Sequence, residues 1–594
     1  MFAQLASAPS SLPNGPPLSA KHVRSRAGVI MEGARGPPRT RDTGPGSDDW
    51  APMTDNLTPV PPVPPALTAA PGLMRRSDVV VRKGLLTLLN GDLTPTESMV
   101  DDLLSIAEAL DVAEVPFFLV RSDSDRPVIA IDWRHRRAVR AALAAAFQLE
   151  PFYSRSEHRA AAALAPAPVL VAEGRLATDS KARAFTLFRP RIEPEGRLRY
   201  GAASGVRLEF WQWADGGVTL PRENALTRTT VPADELVEGS VERYGRAWRT
   251  LDGMFSHLAS EIRFDIDIVF SWVDGASIEW QRARARRMES YVVGEGDHNE
   301  ARYRQIDELK FALRSVHLFA PWIRNIFIVT DSPAPTWLAD HPRVRVMRSE
   351  DFFVDTTVLP THNSHAVESQ LHHIPGLSEY FLYSNDDMFF GRPVTPDMFF
   401  SPGGLTKFIE ATTRIGLGDS NLDRSGFENA ARVNRRLLHD RFGRVITRHL
   451  EHAATPLRKS VLLELEHEFA EDFARTAASA FRSATDISVT NSLYHYYALL
   501  TGRAVTQTNA RVKYVDTTMR SGLRELQRML KKRSYDFFCL NDGSFPEIDG
   551  AERATAVLSF LHRYFPIAAP WETKLPQASG IDAGDYRADA DFAG

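Results

Sequence analysis

Four short apolar runs constrain this chain most: Ile266 to Trp272, Ile326 to Thr330, Val344 to Met347 and Tyr380 to Tyr383. Each has the length of a buried strand, and no strict polar alternation marks a solvent face. Between the first two, Tyr303 to Phe319 repeats Ile306, Leu309, Leu313 and Val316 at helical spacing, so one face of an amphipathic helix is expected there. Ala366 to Leu371 is expected to start a further helix that ends before Pro375. Strands alternating with helices predict an α/β fold with a mostly parallel, doubly wound sheet. Three of the runs lead into acidic residues: Asp274, Asp331, and the adjacent pair Asp386 and Asp387 behind Asn385. Ligands of such sheets bind beyond the carboxyl ends of the strands, so these side chains are expected at one crevice.

The 594-residue chain is too long for one core, and its 43 % hydrophobic and 25 % charged residues are ordinary for folded protein. A net charge of −4 without a basic stripe argues against a nucleic-acid partner. The one cysteine, Cys539, excludes a disulfide framework and a cysteine-built zinc site, and reads as a small buried residue. No apolar stretch approaches the roughly eighteen residues of a membrane span, so any membrane association is expected to be peripheral.

Residues 1–75 are rich in Pro, Gly, Ser and Arg and are expected to be a disordered tail, unless Met53 or Met74 is the true start. Residues 76–255 read as a separate accessory α/β domain. Strands are expected at Phe117–Val120, Val128–Ile131, Val169–Val171, Ala184–Phe188 and Val206–Trp213, with a helix at Arg136–Phe147. The chemistry is expected in 256–575, as an α/β core over 264–404 and a helical part over 405–575, before a flexible tail at 576–594. In the helical part, Thr455-Pro456 reads as a helix start running through Leu463 and Phe469 toward Phe473. A second helix is expected from Ser488 to Leu500, with Asp486 near its cap and Gly502 past its end.

Asp386 and Asp387 are the sharpest chemical feature. Neighbouring carboxylates repel unless a cation, a proton or hydrogen bonds offset them, and their hard oxygens suit Mg²⁺ or Mn²⁺. Capping of a solvated turn is the plainer alternative. His452, with Arg458 and Lys459 in the first turn of the helix expected at Pro456, would suit a phosphate at a helix N-terminus, or would be surface cations. Arg482, ahead of Asp486, could grip a phosphoryl group bidentately or pair with that aspartate. Glu368, near Ser364 and His365, could face the crevice. His362, His365, His372 and His373 invite a zinc reading, but they lack a recognised ligand spacing and the carboxylates favour a harder ion. Asn541-Asp542-Gly543 reads first as a turn.

Segments in order along the chain resemble the four signature regions of the Stealth family of capsule and exopolysaccharide sugar-phosphate transferases. The first is Asp265-Ile-Asp-Ile-Val-Phe-Ser-Trp-Val-Asp-Gly275. The second runs from Arg302-Tyr303 through Asp307-Glu-Leu309, Leu313-Arg-Ser315, Ala320-Pro-Trp322, Arg324 to Thr330, Pro335 to Leu338 and Val367-Glu-Ser369 to Ser384-Asn-Asp-Asp387 and Phe390-Gly391. The third covers His452 to Lys459, Phe481-Arg-Ser483 and Asp486, and the fourth is Phe538-Cys-Leu-Asn-Asp542. Family members often carry proline two residues after the histidine, where this chain has Ala454.

The resemblance implies a fold like that of nucleotide-sugar transferases and an active site of Asp274, Glu368, Asp387, His452 and Arg482. Asn385, Asp386, Asp331, Arg458, Lys459 and Asp486 are expected around the substrates, with Asp387 and Asp274 on Mg²⁺ or Mn²⁺. The implied donor is a nucleotide-diphosphate-sugar, commonly a UDP-sugar, and the acceptor is a hydroxyl of a polysaccharide or oligosaccharide. The implied reaction breaks the phosphoanhydride, with His452 or Asp387 as base, and the implied location is cytoplasmic. Ordinary glycosyl transfer and non-catalytic glycan binding are the competing readings.

Overall fold

Strand β5 (Ile266–Ser271) is buried over almost its whole length because helices and loops cover both faces of its sheet, which is why its sequence does not alternate. The computed structural model describes residues 72–573 apart from 158–165, 180, 196–197, 276, 278–281, 283–305 and 544–545. The expected tails up to residue 71 and over 576–594, and the Arg302-Tyr303 motif, lie outside the described residues.

Val63–Gly594 forms one compact unit. Its first part contains α1 (Pro95–Val112), β1 (Phe117–Val120), β2 (Val128–Asp132), α2 (Arg136–Ala146), β3 (Ala184–Phe188) and β4 (Val206–Ala214). Strand β4 lies parallel to β2 and antiparallel to β3 in a mixed sheet. A core including Leu103, Leu143, Phe152, Phe210 and Trp248 joins this sheet to α1 and α2. Leu198 and Tyr200 belong instead to the core of the second part, where they pack with residues such as Leu530 and Tyr564.

The second part continues from β5 through α3 (Glu308–Phe319), β6 (Ile326–Val329), β7 (Val344–Met347), α4 (Ser364–Glu368), β8 (Tyr380–Asn385) and β9 (Met388–Phe390). It then contains α5 (Gly426–Phe442), β10 (Thr455–Arg458), α6 (Lys459–Glu468), α7 (Ala470–Ala478), α8 (Tyr494–Leu500), β11 (Val512–Asp516), α9 (Arg520–Lys532), β12 (Phe537–Asn541) and α10 (Gly550–Tyr564). The central sheet has the order β7-β6-β5-β8-β10. Its first four strands are parallel, as expected, and β10 closes the edge antiparallel to β8. A smaller sheet, β9-β12-β11, stands beside the carboxyl end of β8.

Three expectations are corrected. The region after residue 404 is not simply helical, since it supplies β10, β11 and β12. Thr455-Pro456 begins a strand rather than a helix. Pro456 lies opposite Leu382, and proline is tolerated there because β10 is an edge strand whose outer side needs no donor. The helix starts only at Lys459 and is interrupted at Phe469 before α7 resumes. The Ser488–Leu500 helix opens with one π turn, Val489–Leu493, before α8.

Candidate active site

The register of the sheet decides which expected residues can meet. Ser271 of β5 lies opposite Asn385, the last residue of β8, so Asp274 and Asp386 leave neighbouring strands at one level. Strand β10 runs the other way, with Thr455 opposite Tyr383 and Arg458 opposite Tyr380. His452 therefore arrives at the carboxyl end of β8, while Arg458 and Lys459 lie at its amino end. There Arg458 Nε is 3.2 Å from Glu379 Oε1, and the guanidinium sits over the Tyr380 ring. The expected phosphate site at Arg458 and Lys459 is thus corrected: the misread strand put them on the wrong side of the sheet.

Asp386 and Asp387 form the tight turn from β8 to β9. The Asp387 carbonyl accepts from Leu540 N at 3.0 Å, and its carboxylate accepts from Cys539 Sγ at 3.3 Å, so β12 holds the turn. Glu308, the first residue of α3, and Asp542, just past β12, join the group. Arg553 of α10 reaches into it, 3.8 Å from Glu308 and in ion-pair contact with Asp542. Arg553 is fixed in turn by Nε, which donates to Thr517 Oγ1 at 2.8 Å.

Burial dominates the electrostatics here, with like charge second to it at Asp386. Burial, with Asp387 and Glu308 alongside, pushes the Asp386 carboxyl well above the usual range. Burial also pushes Glu308 up to about 7, although Arg553 opposes the shift. The Cys539 thiol is raised by burial and by Asp387, which makes it a poor nucleophile, in accord with its reading as an inert core residue.

A second group forms around Tyr383 of β8. Glu368, at the end of α4, is buried; its Oε1 accepts from Tyr383 OH at 3.2 Å and its Oε2 from Thr490 Oγ1 at 2.6 Å. Thr490 lies in the π turn, a distortion frequent at functional sites. Arg482 donates from Nη2 to Ser364 Oγ at 2.8 Å and acts electrostatically on Tyr383. Its aliphatic stem packs on Gly426, where a Cβ would come within 2.7 Å of Arg482 Cβ, so the start of α5 must be glycine to let arginine pass. The next residue, Phe427, stacks on His449 at 4.6 Å between ring centroids. His452 lies edge-on to Tyr514 of β11 at 5.0 Å.

Two other expected residues hold loops together. Asp331 accepts from Ser349 N and Oγ at 2.8 and 2.7 Å, which ties the end of β6 to the turn after β7. Asp486 is fully buried and accepts from Asn363 Nδ2 at 2.8 Å and Ser483 N at 2.9 Å, so it shapes the loop that presents Arg482 and does not cap the following helix. Among the four histidines, His362 stacks on Phe481 and His365 lies 3.7 Å from Asp486, apart from His372 and His373, which meet Glu466.

Sequence reasoning assigned no role to Glu308, Thr490, Tyr514 or Arg553. Glu308 stood inside the quoted Asp307-Glu-Leu309 motif, and its place at a helix start was the available signal. Arg553 offered none, because α10 brings it in from far along the chain.

These features define an α/β protein with carboxylates gathered around the Arg553 guanidinium at the carboxyl end of parallel strands. The family models Stealth protein CR1, CR2, CR3 and CR4 (conserved regions 1 to 4) match residues 264–292, 302–408, 451–499 and 527–580. The chain is 58 % identical over 516 residues to exopolysaccharide phosphotransferase CpsY of Mycobacterium tuberculosis, covering 87 % of this chain and 96 % of that protein. It is 55 % identical over 482 residues to an exopolysaccharide phosphotransferase of Nocardia farcinica, covering 81 % and 89 %. It is 37 % identical over 504 residues to exopolysaccharide phosphotransferase SCO6023 of Streptomyces coelicolor, covering 82 % and 85 %. Galactosyltransferase LgtC, solved with donor and acceptor sugar analogs, aligns at a TM-score of 0.27 and 13 % identity over 52 % of this chain and 98 % of its own. The chain belongs to the Stealth family of phosphotransferases.

Proposed function

We propose that the protein transfers a sugar 1-phosphate from a nucleotide-diphosphate-sugar, most simply a UDP-sugar, to a hydroxyl of an exopolysaccharide. The family relationship supports the class of reaction. The observation that supports the site assignment is the register of β8: its carboxyl end leads into Asp386 and Asp387, its Tyr383 bonds Glu368, and antiparallel β10 brings His452 to that same end.

The acceptor oxygen attacks the sugar-bearing phosphorus, the phosphoanhydride P–O bond breaks, and the nucleoside monophosphate leaves. His452 takes the acceptor proton, its ring oriented by the edge contact with Tyr514. Arg482, positioned through Ser364 and the loop built on Asp486, binds the phosphoryl oxygens as charge develops on them. Glu368 keeps Tyr383 and Thr490 in place beneath that arginine.

The donor set also fits a divalent ion. Asp386, Asp387 and Asp542 offer hard oxygens, and the raised Asp386 and Glu308 carboxyls mark a surplus of negative charge that Mg²⁺ or Mn²⁺ would offset. Asp274 leaves the next strand at the same level and could complete the set. Bound there, the ion would neutralise diphosphate charge. Among the described residues no helix is long and apolar enough to cross a membrane. A nucleotide-sugar donor would place the reaction in the cytoplasm, with at most peripheral contact with the membrane.

A donor screen with Mg²⁺ and a mixed oligosaccharide acceptor tests the reading. Release of UMP with phosphorus retained in the glycan product is the expected result. Release of UDP would mean ordinary glycosyl transfer and would overturn it. His452→Ala is expected to lower turnover by about a hundredfold or more; near-normal turnover would remove His452 as the base.

A further inference from the structure

Away from the carboxylate site, His372, His373 and Glu466 bring three ligand atoms within 4.8 Å of one another. The two histidines lie in the turn Leu371–His373 that leads toward β8, and Glu466 lies on α6, the helix that leaves β10. His372 Nε2 is 2.8 Å and His373 Nε2 3.0 Å from the same carboxylate oxygen, Glu466 Oε2. The imidazole rings are tilted by 41° with centroids 4.1 Å apart, so both Nε2 atoms converge on the carboxylate. His372 is fully buried and packs edge-on against Phe473, whereas the His373 and Glu466 side chains are each 24 % exposed. The site is therefore rigid on one side and open to ions and water on the other.

We propose that this cluster binds a divalent transition metal of the zinc class through His372 Nε2, His373 Nε2 and a Glu466 carboxylate oxygen. Two imidazoles and one carboxylate suit Zn²⁺, Co²⁺ or Ni²⁺ rather than Mg²⁺. Bonds of about 2.1 Å at tetrahedral angles put neighbouring donor atoms about 3.4 Å apart, so the N···O separations of 2.8 and 3.0 Å need open by only about half an ångström to admit the ion. The exposed side leaves room for water as the remaining ligands. Bound there, the ion joins the turn before β8 to the helix after β10. It thus ties together the two strands whose other ends carry Asp387 and His452. It is a structural clip, separate in place and in chemistry from the hard-ion site.

The test uses the full chain, stripped with a chelator and titrated with Co²⁺ and then Zn²⁺. Binding is followed by cobalt d–d absorption and calorimetry, and melting is recorded with and without metal. One equivalent of Co²⁺, displaced by Zn²⁺ but not by Mg²⁺, and a metal-dependent rise in melting temperature are expected. Glu466→Gln and His373→Gln are each expected to weaken binding by about a hundredfold and to abolish the rise. Both substitutions are at partly exposed positions, and melting of the stripped variants reports whether they fold. The proposal is overturned if the wild-type chain takes up no metal, or if both folded variants bind it with wild-type affinity.

Discussion

The two ends of the central sheet carry the same kinds of side chain and treat them in opposite ways. At the amino end, charges are matched. Asp267 of β5 accepts from Arg324 at 2.7 and 2.9 Å, from Ser378 N at 2.8 Å and from Asn325 N at 3.1 Å. Burial alone would raise the nearby Glu466 carboxyl, yet hydrogen bonds from His372 and His373 bring it down to about 2. At the carboxyl end, Asp386, Asp387, Glu308 and Asp542 crowd together, and burial lifts Glu308 to about 7. The matched end holds the strands, while the crowded end stores electrostatic strain that a bound cation would relieve.

The largest expected effect separates the two ends directly. Asp387→Asn should reduce turnover by about a thousandfold, or about 4 kcal/mol on the barrier. Its melting temperature should be unchanged or slightly higher, because one member of a repelling group is neutralised. Kinetics beside a thermal melt would decide it, and a stability loss with intact turnover per folded molecule would reverse the assignment.

Asp267→Asn should do the opposite. Removing one partner of a buried pair costs about 3–5 kcal/mol, and the lower figure applies because the Arg324 side chain is 38 % exposed and can rehydrate. The urea midpoint should fall while turnover of the folded fraction stays within about twofold.

How far these ends could be told apart from sequence depended on the distance over which each is built. Strands β5 to β8 and the helix α3 were legible because continuous apolar runs and helical spacing are local signals. Asp274 and Asp387 were legible as strand ends. The partners that give Asp387 its environment were not, since Glu308, the Cys539–Asp542 segment and Arg553 come from three different places in the chain. Pro456 misled because the same residue suits a first helical turn and an edge strand, and only tertiary pairing with β8 chooses between them. That single local ambiguity set Arg458 and Lys459 beside His452 at an expected helix start, whereas the strand holds them apart by its own length.

The pH response should sharpen the contrast by a smaller amount. With Glu308 raised from 4.5 to about 7, the folded state holds a proton that the unfolded chain has released. The associated stability is fully present below about pH 4.5 and is lost as pH rises through about 7. A shift of that size corresponds to about 3 kcal/mol. In chelator, the stability of the wild-type chain should fall over this window, and Glu308→Gln should flatten the fall. An equally steep fall in the variant would remove Glu308 as its source.

The smallest expected effect tests the boundary between the ends. Arg458 and Lys459 look like a phosphate-binding pair on paper, and a double Ala substitution asks whether they ever meet the donor. Arg458 is already engaged with Glu379 and Tyr380 at the start of β8, so its loss should cost at most about 1 kcal/mol of stability. Donor kcat/KM should stay within about twofold, because both cations sit a full strand length from Asp386 and Asp387. A tenfold fall in kcat/KM without a matching fall in stability would mean that the donor reaches the amino end. The division of labour between the two ends would then fail, although the family membership would stand.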